Sequence, residues 1–280
     1  MRVVCAGHVN WDVTLRVDRL PAPDDEARVR ERSEAGGGSA ANVATALVAL
    51  EQQARLLGSV GDDDTGERAL ADLRASGVET RVEVVTDLET TTKYILVDDD
   101  AEVAILGTDG ANEALAPDDI DPAVFEDADA LHLTAQRPET AARLAELATE
   151  RDLTVSFDPG RRLPDRSYDT VLEQADVLFV TEREAAAIDA SVPWLVTKRG
   201  EAGATLACPD GRYEHPGYDL PSVDSTGAGD AFAAGFLAVW LDDHDPERAL
   251  GTANACGAIA ASERGPKTAL SWGRIEEVRE

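Results

Sequence analysis

The residues best suited to chemistry form one run near the carboxyl end of the chain, Asp224-Ser225-Thr226-Gly227-Ala228-Gly229-Asp230. Three small residues before a predicted helix leave backbone N–H groups free to converge, and the helix N-terminus adds the positive end of its dipole. Such a turn binds a phosphoryl group. Asp230 lies beside it and can accept a proton from an attacking hydroxyl. The alternative is a plain helix start capped by Asp230, but the length of the run favours the catalytic interpretation.

A second run, Gly36-Gly37-Gly38-Ser39-Ala40-Ala41-Asn42, also precedes a predicted helix. Its glycines let the backbone approach a small ligand closely, and Asn42 offers both a donor and an acceptor. Taken alone this signal is weak, because glycines before a helix are usually turn residues.

The elements that must position these runs alternate between buried strands and amphipathic helices. This alternation predicts an α/β fold, in which a mostly parallel sheet is covered by helices on both faces. The predicted strands are 2–6, 55–61, 129–134, 153–157, 176–180 and 194–198, followed by a hairpin-like 203–215. The predicted helices are 40–51, 66–78, 138–150, 167–174, 182–189, 228–240 and 246–262.

Two segments, 12–35 and 81–107, interrupt the alternation of strands and helices, because each predicts strands that no helix separates. Their alternating residues and turns predict a small antiparallel sheet projecting from the main fold. The sequence contains no internal repeat and no linker-like stretch. We therefore expect one domain spanning 1–280, with the two segments inserted as a small β-sheet lid.

The composition sets limits on the class of protein. Of the 280 residues 43% are hydrophobic, enough for a sizeable core, which excludes a disordered acidic protein. A formal net charge of −29 repels phosphate backbones and anionic lipid, so we expect no nucleic-acid or membrane partner. Three of the 26 cations are Lys, and abundant acid with scarce Lys is typical of a salt-rich cytoplasm, where 1 M salt screens charges over about 3 Å.

The cysteines and histidines indicate neither a disulfide framework nor a metal cluster. Cys5, Cys208 and Cys256 are widely spaced, as are the four histidines. The start of the chain lacks the pattern of a signal peptide, and no apolar run reaches 18 residues, so we expect a cytoplasmic protein. Gly7 stands alone after the first strand, which disfavours a dinucleotide-dependent oxidoreductase.

Together the two glycine-rich runs resemble the signatures of the ribokinase-like (PfkB) carbohydrate kinase family. Gly37, Gly38 and Asn42 match a GGxxxN core, and Asp224 to Asp230 match DTxGAGD with Ser225 in the usual Thr position. Weaker matches follow in the family's order: Gly7, Asn10 and Asp12; Gly110-Ala111-Asn112; Lys198 to Gly203; Asn254 to Gly257; and Arg264-Gly265. The resemblance covers nearly the whole chain and implies a three-layer ribokinase-like fold.

The resemblance also implies an ATP-dependent kinase that phosphorylates a sugar hydroxyl, with Mg²⁺ on the phosphates and room for a monovalent cation such as K⁺. Asp230 would be the catalytic base, and the N–H groups of Gly227, Ala228 and Gly229 would hold the transferred phosphate. The sugar would be bound by Asn10, Asp12, Gly37, Gly38 and Asn42. The nucleotide would be bound by Lys198, Gly200, Gly203, Thr226 and Asn254.

Two segments depart from the family's pattern. Where the family has NxxE after a strand, this chain has Thr181-Glu182-Arg183-Glu184. Glu184 keeps the acid that helps to organise Mg²⁺, mostly through water, whereas Thr181 lacks the amide; the alternative for Glu184 is a solvated acid at a helix start. A DPNxR-like stretch appears as Asp158-Pro159-Gly160-Arg161-Arg162, in which an arginine could contact a phosphate or pair with an acid such as Asp158.

The sequence leaves the substrate open. A nucleoside kinase is the nearest alternative, although aromatic residues total 5% and Trp11 is the one aromatic placed to stack near the sugar. A sugar-acid or phosphosugar kinase would need a cation clamp, for which Arg161 and Arg162 are candidates. A non-catalytic sensor would be free to lose its base, so the intact Asp230 disfavours it. The family analogy also predicts a homodimer formed through exposed lid strands.

Overall fold

The computed structural model describes residues 1–100, 102–186, 188, 191–263, 265 and 269–280, without the side chains of residues 162 and 164. Its strands are β1 (Arg2–Ala6), β2 (Asn10–Val17), β3 (Val29–Gly37), β4 (Gln53–Gly61), β5 (Glu79–Val85), β6 (Thr92–Val97), β7 (Val103–Gly107), β8 (Ala130–Leu133), β9 (Thr154–Phe157), β10 (Val177–Thr181), β11 (Trp194–Lys198), β12 (Ala204–Cys208) and β13 (Gly211–His215). Its α-helices are α1 (Ser39–Ala49), α2 (Asp64–Ala75), α3 (Pro138–Thr149), α4 (Asp169–Gln174), α5 (Glu182–Ala185), α6 (Ala228–Asp243), α7 (Pro246–Ala261) and α8 (Trp272–Arg279).

The main sheet has the strand order β13-β12-β11-β10-β9-β8-β1-β4-β5. From β11 to β5 every neighbouring pair is parallel, and β12 and β13 extend the sheet as antiparallel strands. The predicted α/β fold with a mostly parallel sheet is therefore confirmed. Since parallel strands need crossover connections, helices lie on both faces.

Alternation along β1 shows how the sheet separates two cores. Val3 and Cys5 face a cluster shared with α1, α2, α6 and α7, whereas Val4 and Ala6 face a cluster shared with α3 and α4. All four side chains are fully buried. A strand that is apolar on both faces belongs at the centre of a three-layer arrangement, which the first strand of the sequence predicts.

A small sheet, with strand order β3-β2-β6-β7, stands apart from the main one. The expectation of a purely antiparallel lid is wrong, because β2 and β6 run parallel. The lower bound of the segment 81–107 is also wrong: residues 79–85 form β5, which pairs with β4 at the edge of the main sheet. The reason is that α2 returns the chain beside β4 and completes a βαβ unit, which alternation along β5 alone does not reveal.

The helices mostly follow the predicted ranges, with three differences. Helix α6 continues past residue 240 and ends where His244 takes a left-handed conformation. Helix α8 and three 3₁₀ segments between residues 111 and 125 were not anticipated. The predicted helix 182–189 is described as helical only over α5, and residues 187 and 189, like Arg264, lie outside the described residues.

No helix in the described part of the chain is both long and apolar enough to cross a membrane.

Candidate active site

The N-terminus of α6 carries Asp230, the side chain at the centre of the candidate site. Gly227 precedes the helix with φ 75°, a left-handed conformation that glycine adopts without strain, and its carbonyl accepts a hydrogen bond from the Ala231 N–H at 2.9 Å. This places Gly227–Gly229, here called the anion turn, at the helix N-terminus. Asp230 follows in the first turn of α6, so both predicted features occupy the same helix end.

Helix α1 brings the second glycine-rich run to the same place. Gly38 precedes α1 with φ 101°, and a Cβ there would lie 2.3 Å from the His8 carbonyl oxygen, so a larger residue would not fit. One turn into α1, the Asn42 amide Nδ2 donates to Asp230 Oδ2 at 2.8 Å. Residues 188 positions apart in the sequence therefore share one hydrogen bond.

The surroundings of Asp230 increase its proton affinity. Burial, with a smaller contribution from the Asp158 carboxylate, raises the pKa of Asp230 to about 7, although Asn42, Lys198 and Lys93 act in the opposite direction. A general base works best when its pKa lies near the working pH. Asp230 is therefore suited to accept a proton from an alcohol at neutral pH.

Asn10, Gly37 and Asn42 line one small cavity. Asp12 lies against Gly37, and Gly38 follows Gly37 in the chain. Asn10, Asp12, Gly38 and Asn42 are here called the sugar-side pocket. Asn112 Nδ2 donates to Asn10 Oδ1, which leaves Asn10 Nδ2 without a partner among the described residues. Asp12 Oδ1 is likewise unpartnered among them, although Asp12 is only 5% exposed. Buried polar atoms left unpaired are costly, and a polyhydroxylated ligand would satisfy both.

Asp12 is also an acid of altered proton affinity. Burial raises the pKa of Asp12 to about 6, and the positive charge of Lys93 partly opposes this. Asp12 Oδ2 lies against Gly37, where a Cβ would come within 2.1 Å of it. A side chain at position 37 would therefore displace the carboxylate from the sugar-side pocket.

Lys198, at the end of β11, faces the anion turn. Its Nζ pairs with Asp158 Oδ2 at 2.5 Å, and a Cβ on Gly229 would lie 3.6 Å from the same nitrogen. Burial lowers the pKa of Lys198, but Asp158, Glu184 and Asp230 more than offset it, so the pKa is raised and the cation is retained. The predicted arginine clamp is not visible here: Arg161 is exposed, and the side chain of Arg162 lies outside the described residues.

Thr181 and Glu184 form a reciprocal cap on α5. The Thr181 N–H donates to Glu184 Oε2 at 2.8 Å, and the Glu184 N–H donates to Thr181 Oγ1 at 3.3 Å. This explains how threonine serves where the family has asparagine, since Ser or Thr with Glu three residues later makes a capping box. Glu184 is 6% exposed and is therefore not the solvated acid of the alternative interpretation.

A cavity of about 400 Å³ opens beside the anion turn between α6 and α7. We call it the α6–α7 cavity; its lining includes Lys198, Gly200, Gly203, Tyr218, Leu220, Ala228, Gly229, Phe232 and Asn254. A large apolar cleft ending at an anion site fits a nucleotide base and its phosphates. Thr226 is not part of the lining; its N–H donates to Asp224 Oδ1 at 3.0 Å and so stabilises the turn itself.

Sequence reasoning missed several residues that complete the site. Asp158 was considered only as a partner for an arginine, and Asn112 only as part of a weak match. Lys93 was counted as one of three lysines, with no role. Only weak local matches include Asn112 and Asp158, and none includes Lys93. The segments that carry these three residues meet the site only in the folded chain.

The anion turn has a buried cation and a carboxylate at its side, and it lies between a nucleotide-sized cavity and a polar pocket. These are the parts of a phosphotransferase site. Comparison with known proteins agrees. The profile of the pfkB family carbohydrate kinase matches residues 1–272. The chain belongs to this family, and the predicted class of sugar or nucleoside kinase is confirmed.

The relatives extend over almost the full chain. The chain is 54% identical to the ATP-dependent ribose-1-phosphate kinase of Halopiger xanaduensis, a halophilic archaeon, over 96% of this chain and 95% of the relative. It is 29% identical to the nucleoside kinase of Methanocaldococcus jannaschii over 99% and 96%. The structure of Arabidopsis thaliana ribokinase complexed with ribose and ATP gives a TM-score of 0.85, covering 99% and 97% at 21% identity. These matches confirm the ribokinase-like fold.

Proposed function

We propose that this chain transfers the γ-phosphoryl group of ATP to a hydroxyl of ribose 1-phosphate. One observation carries the proposal: Asp230, at the anion turn, is hydrogen-bonded by Asn42 and lies between the α6–α7 cavity and the sugar-side pocket. The 54% identity to a ribose-1-phosphate kinase supports the substrate, and the cavity supports a nucleotide donor.

The described residues divide the reaction between them. Asp12 accepts hydrogen bonds from sugar hydroxyls, and the Asn10 amide Nδ2 donates a hydrogen bond to one. Asp230 removes the proton of the attacking hydroxyl, while the N–H groups of the anion turn and the Lys198 ammonium stabilise the charge on the transferred group. Of the hydroxyls of ribose 1-phosphate, the primary one is the least hindered and extends farthest from the ring. We therefore propose it as the acceptor.

Glu184 is the residue we propose for Mg²⁺, which neutralises charge on the donor phosphates. Its Oε2 accepts the Thr181 N–H, and Oε1 would hold the metal through a water. The described residues hold no cluster of three or more His, Cys, Asp or Glu that would bind a metal directly.

A dependence on K⁺ remains a prediction, checked by comparing KCl with NaCl at equal ionic strength; equal rates would contradict it.

The residues around Trp11 weigh against a nucleoside as the substrate. Trp11 was expected to be available for stacking, but it is 5% exposed, and the Arg68 guanidinium lies 4.2 Å above its ring. It points to the face of β2 opposite Asp12, because side chains alternate along a strand. Its Nε1 donates to Glu34, so the ring is already packed and bonded on that face. No other aromatic ring was expected near the sugar.

The small sheet carries the surface we propose for a homodimer. Val29, Tyr94, Val103, Ile105 and Leu106 are large apolar side chains on β3, β6 and β7 that are 38–61% exposed. A second copy of the chain would cover them. Light scattering in molar KCl is expected to give twice the mass of the chain, and a monomer at micromolar concentration would contradict the dimer.

The test of the function is an ADP-release assay in molar KCl with ATP and Mg²⁺. We expect ribose 1-phosphate to be used with a higher kcat/KM than ribose, fructose, 2-keto-3-deoxy sugar acids, adenosine or inosine. A nucleoside as the best acceptor would replace the proposed substrate with the alternative. ATP binding without turnover of any acceptor would favour the non-catalytic sensor.

We also propose a cytoplasmic location, because ATP is a cytoplasmic metabolite; secretion of the protein would contradict it.

A further inference from the structure

The two lysines described in this acidic chain both act electrostatically on carboxylates of the site. Lys93 and Lys198 are two of three lysines among 26 cationic residues, and the third, Lys267, lies outside the described residues. Lys198 pairs with Asp158 and faces the anion turn. Whereas Lys198 comes from β11 of the main sheet, Lys93 comes from β6 of the small sheet. Its role is not accounted for by the reaction described above.

The register of the small sheet aims Lys93 at the sugar-side pocket. In the parallel pair of β2 and β6, Lys93 lies beside Asp12, so the two side chains emerge on the same face. On β7 the neighbour of Lys93 is Gly107, which has no side chain to cover it. The ammonium is close enough to influence both Asp12 and Asp230.

Lys93 differs from the other cations of the site in having no ion-pair partner within the described residues. Lys198 is neutralised by Asp158, and Arg166 is held by both oxygens of Glu113. Lys93 is nevertheless half-buried. An unpaired cation beside a pocket with two unsatisfied polar atoms is matched by a ligand that is both polyhydroxylated and anionic.

We propose that Lys93 binds the phosphate of the sugar-phosphate substrate and selects a phosphorylated sugar over the free sugar. The inference rests on the function proposed above. The positions of the two lysines assign them to different phosphates. Lys198 faces the anion turn and thus the transferred phosphoryl group, whereas Lys93 shares a face of the small sheet with Asp12 in the sugar-side pocket. Arg161, the clamp considered from sequence, is exposed and has no such neighbour among the described side chains.

The test measures selectivity, the ratio of affinities for ribose 1-phosphate and ribose, by calorimetry without ATP and by kcat/KM. In Lys93→Met we expect the KM for ribose 1-phosphate to rise about 10- to 100-fold, because a charge-assisted hydrogen bond is lost. The KM for ATP and the affinity for ribose should stay unchanged. Lys93→Arg should retain most of the selectivity. Arg16→Met, on the same face of β2 but four residues beyond Asp12, is the matched control and should behave as wild type.

Each contrary outcome is distinct. An unchanged ratio in Lys93→Met overturns the role of Lys93 while the proposed function stands. An equal loss of kcat with both sugars would assign Lys93 to the transferred phosphoryl group and also overturn the proposal. If the wild type itself prefers uncharged sugars, the proposed function fails and the inference with it. Equal melting temperatures of variant and wild type exclude misfolding as the cause of a lost ratio.

Discussion

Asp230 and Asn42 show how a strong local signal and a weak one meet in the fold. Both residues lie in glycine-rich runs before a helix, but only the run that ends in Asp230 indicates a catalytic role by itself. The hydrogen bond between them fixes Asp230 at the anion turn, and burial gives it a pKa of about 7 against an ordinary 3.8. The sequence predicts that Asp230 is the base, and this role stays a prediction. Its raised pKa depends on burial and on Asp158, Lys198 and Lys93, which only the fold brings close to it.

The titration of Asp230 gives a pH prediction. Turnover should fall as the pH drops below about 7, because the base becomes protonated. Stability should change with pH in the opposite direction to activity. Asp230 binds its proton more tightly in the folded than in the unfolded chain, so its contribution to the free energy of unfolding decreases as the pH rises from about 4 to 7.

The measurement is kcat/KM from pH 5.5 to 8.5 together with thermal melts over the same range. A flat rate profile between pH 6 and pH 8 would contradict the assignment of Asp230 as the titrating base. Asp230→Asn should remove its contribution to the pH dependence of melting.

Glu184 gives a second prediction at this scale. Glu184→Gln should raise the Mg²⁺ concentration needed for half-maximal activity by roughly 10-fold, since a group that orients metal-bound water contributes about that much to metal affinity. Glu182→Gln is the matched control, because Glu182 is exposed in the same helix turn. The readout is a Mg²⁺ titration at fixed ATP. Superimposable curves for the two variants would remove Glu184 from the metal site.

Among the elements, the parallel core was predictable and the small sheet was predictable only in part, because its existence was expected but not the parallel pairing of β2 and β6. Strands such as β1, apolar on both faces, and the amphipathic helices α2 and α3 each carry their own periodic signal. The alternation of β5 is equally clear, yet it does not tell which sheet the strand joins. Pairing depends on the crossover through α2, so β5 was assigned to the wrong sheet.

An ion pair between elements supports the floor of the sugar-side pocket. Arg166 donates to both oxygens of Glu113, next to Asn112, whose amide reaches Asn10. Arg166→Met should destabilise the fold by roughly 1–3 kcal/mol, because Glu113 loses charged hydrogen bonds. It should also raise the KM for the sugar by releasing Asn112. Chemical denaturation and sugar KM are the measurements, with exposed Arg161→Met as the control.

The pH dependence of that variant follows from Glu113. His8 first, and then Arg166, lower the pKa of Glu113 to about 2. The stability this shift provides is present above the ordinary pKa of 4.5 and is lost as the pH falls toward 2. Arg166→Met should therefore lose less stability on acidification than wild type. Equal acid sensitivity would contradict the pairing.

The charge of the whole molecule predicts dependence on salt. A net charge of −29 spread over 280 residues makes the folded state repel itself at low ionic strength. Raising KCl from about 0.1 M to 1 M shortens the screening length from about 10 Å to about 3 Å. The melting temperature should then rise by roughly 5–10 °C, or about 2–3 kcal/mol at this chain length. A melting temperature indifferent to KCl would contradict adaptation to salt.

Asp230→Asn, measured beside the wild type in molar KCl with ATP, Mg²⁺ and ribose 1-phosphate, tests most directly whether this carboxylate is the base of a kinase. Asparagine can still accept the Asn42 hydrogen bond, so the fold and the α6–α7 cavity should persist. We expect ADP formation to fall about 100- to 10,000-fold, with the Kd for ATP unchanged by calorimetry. Turnover within a few fold of wild type would show that Asp230 does not take the proton.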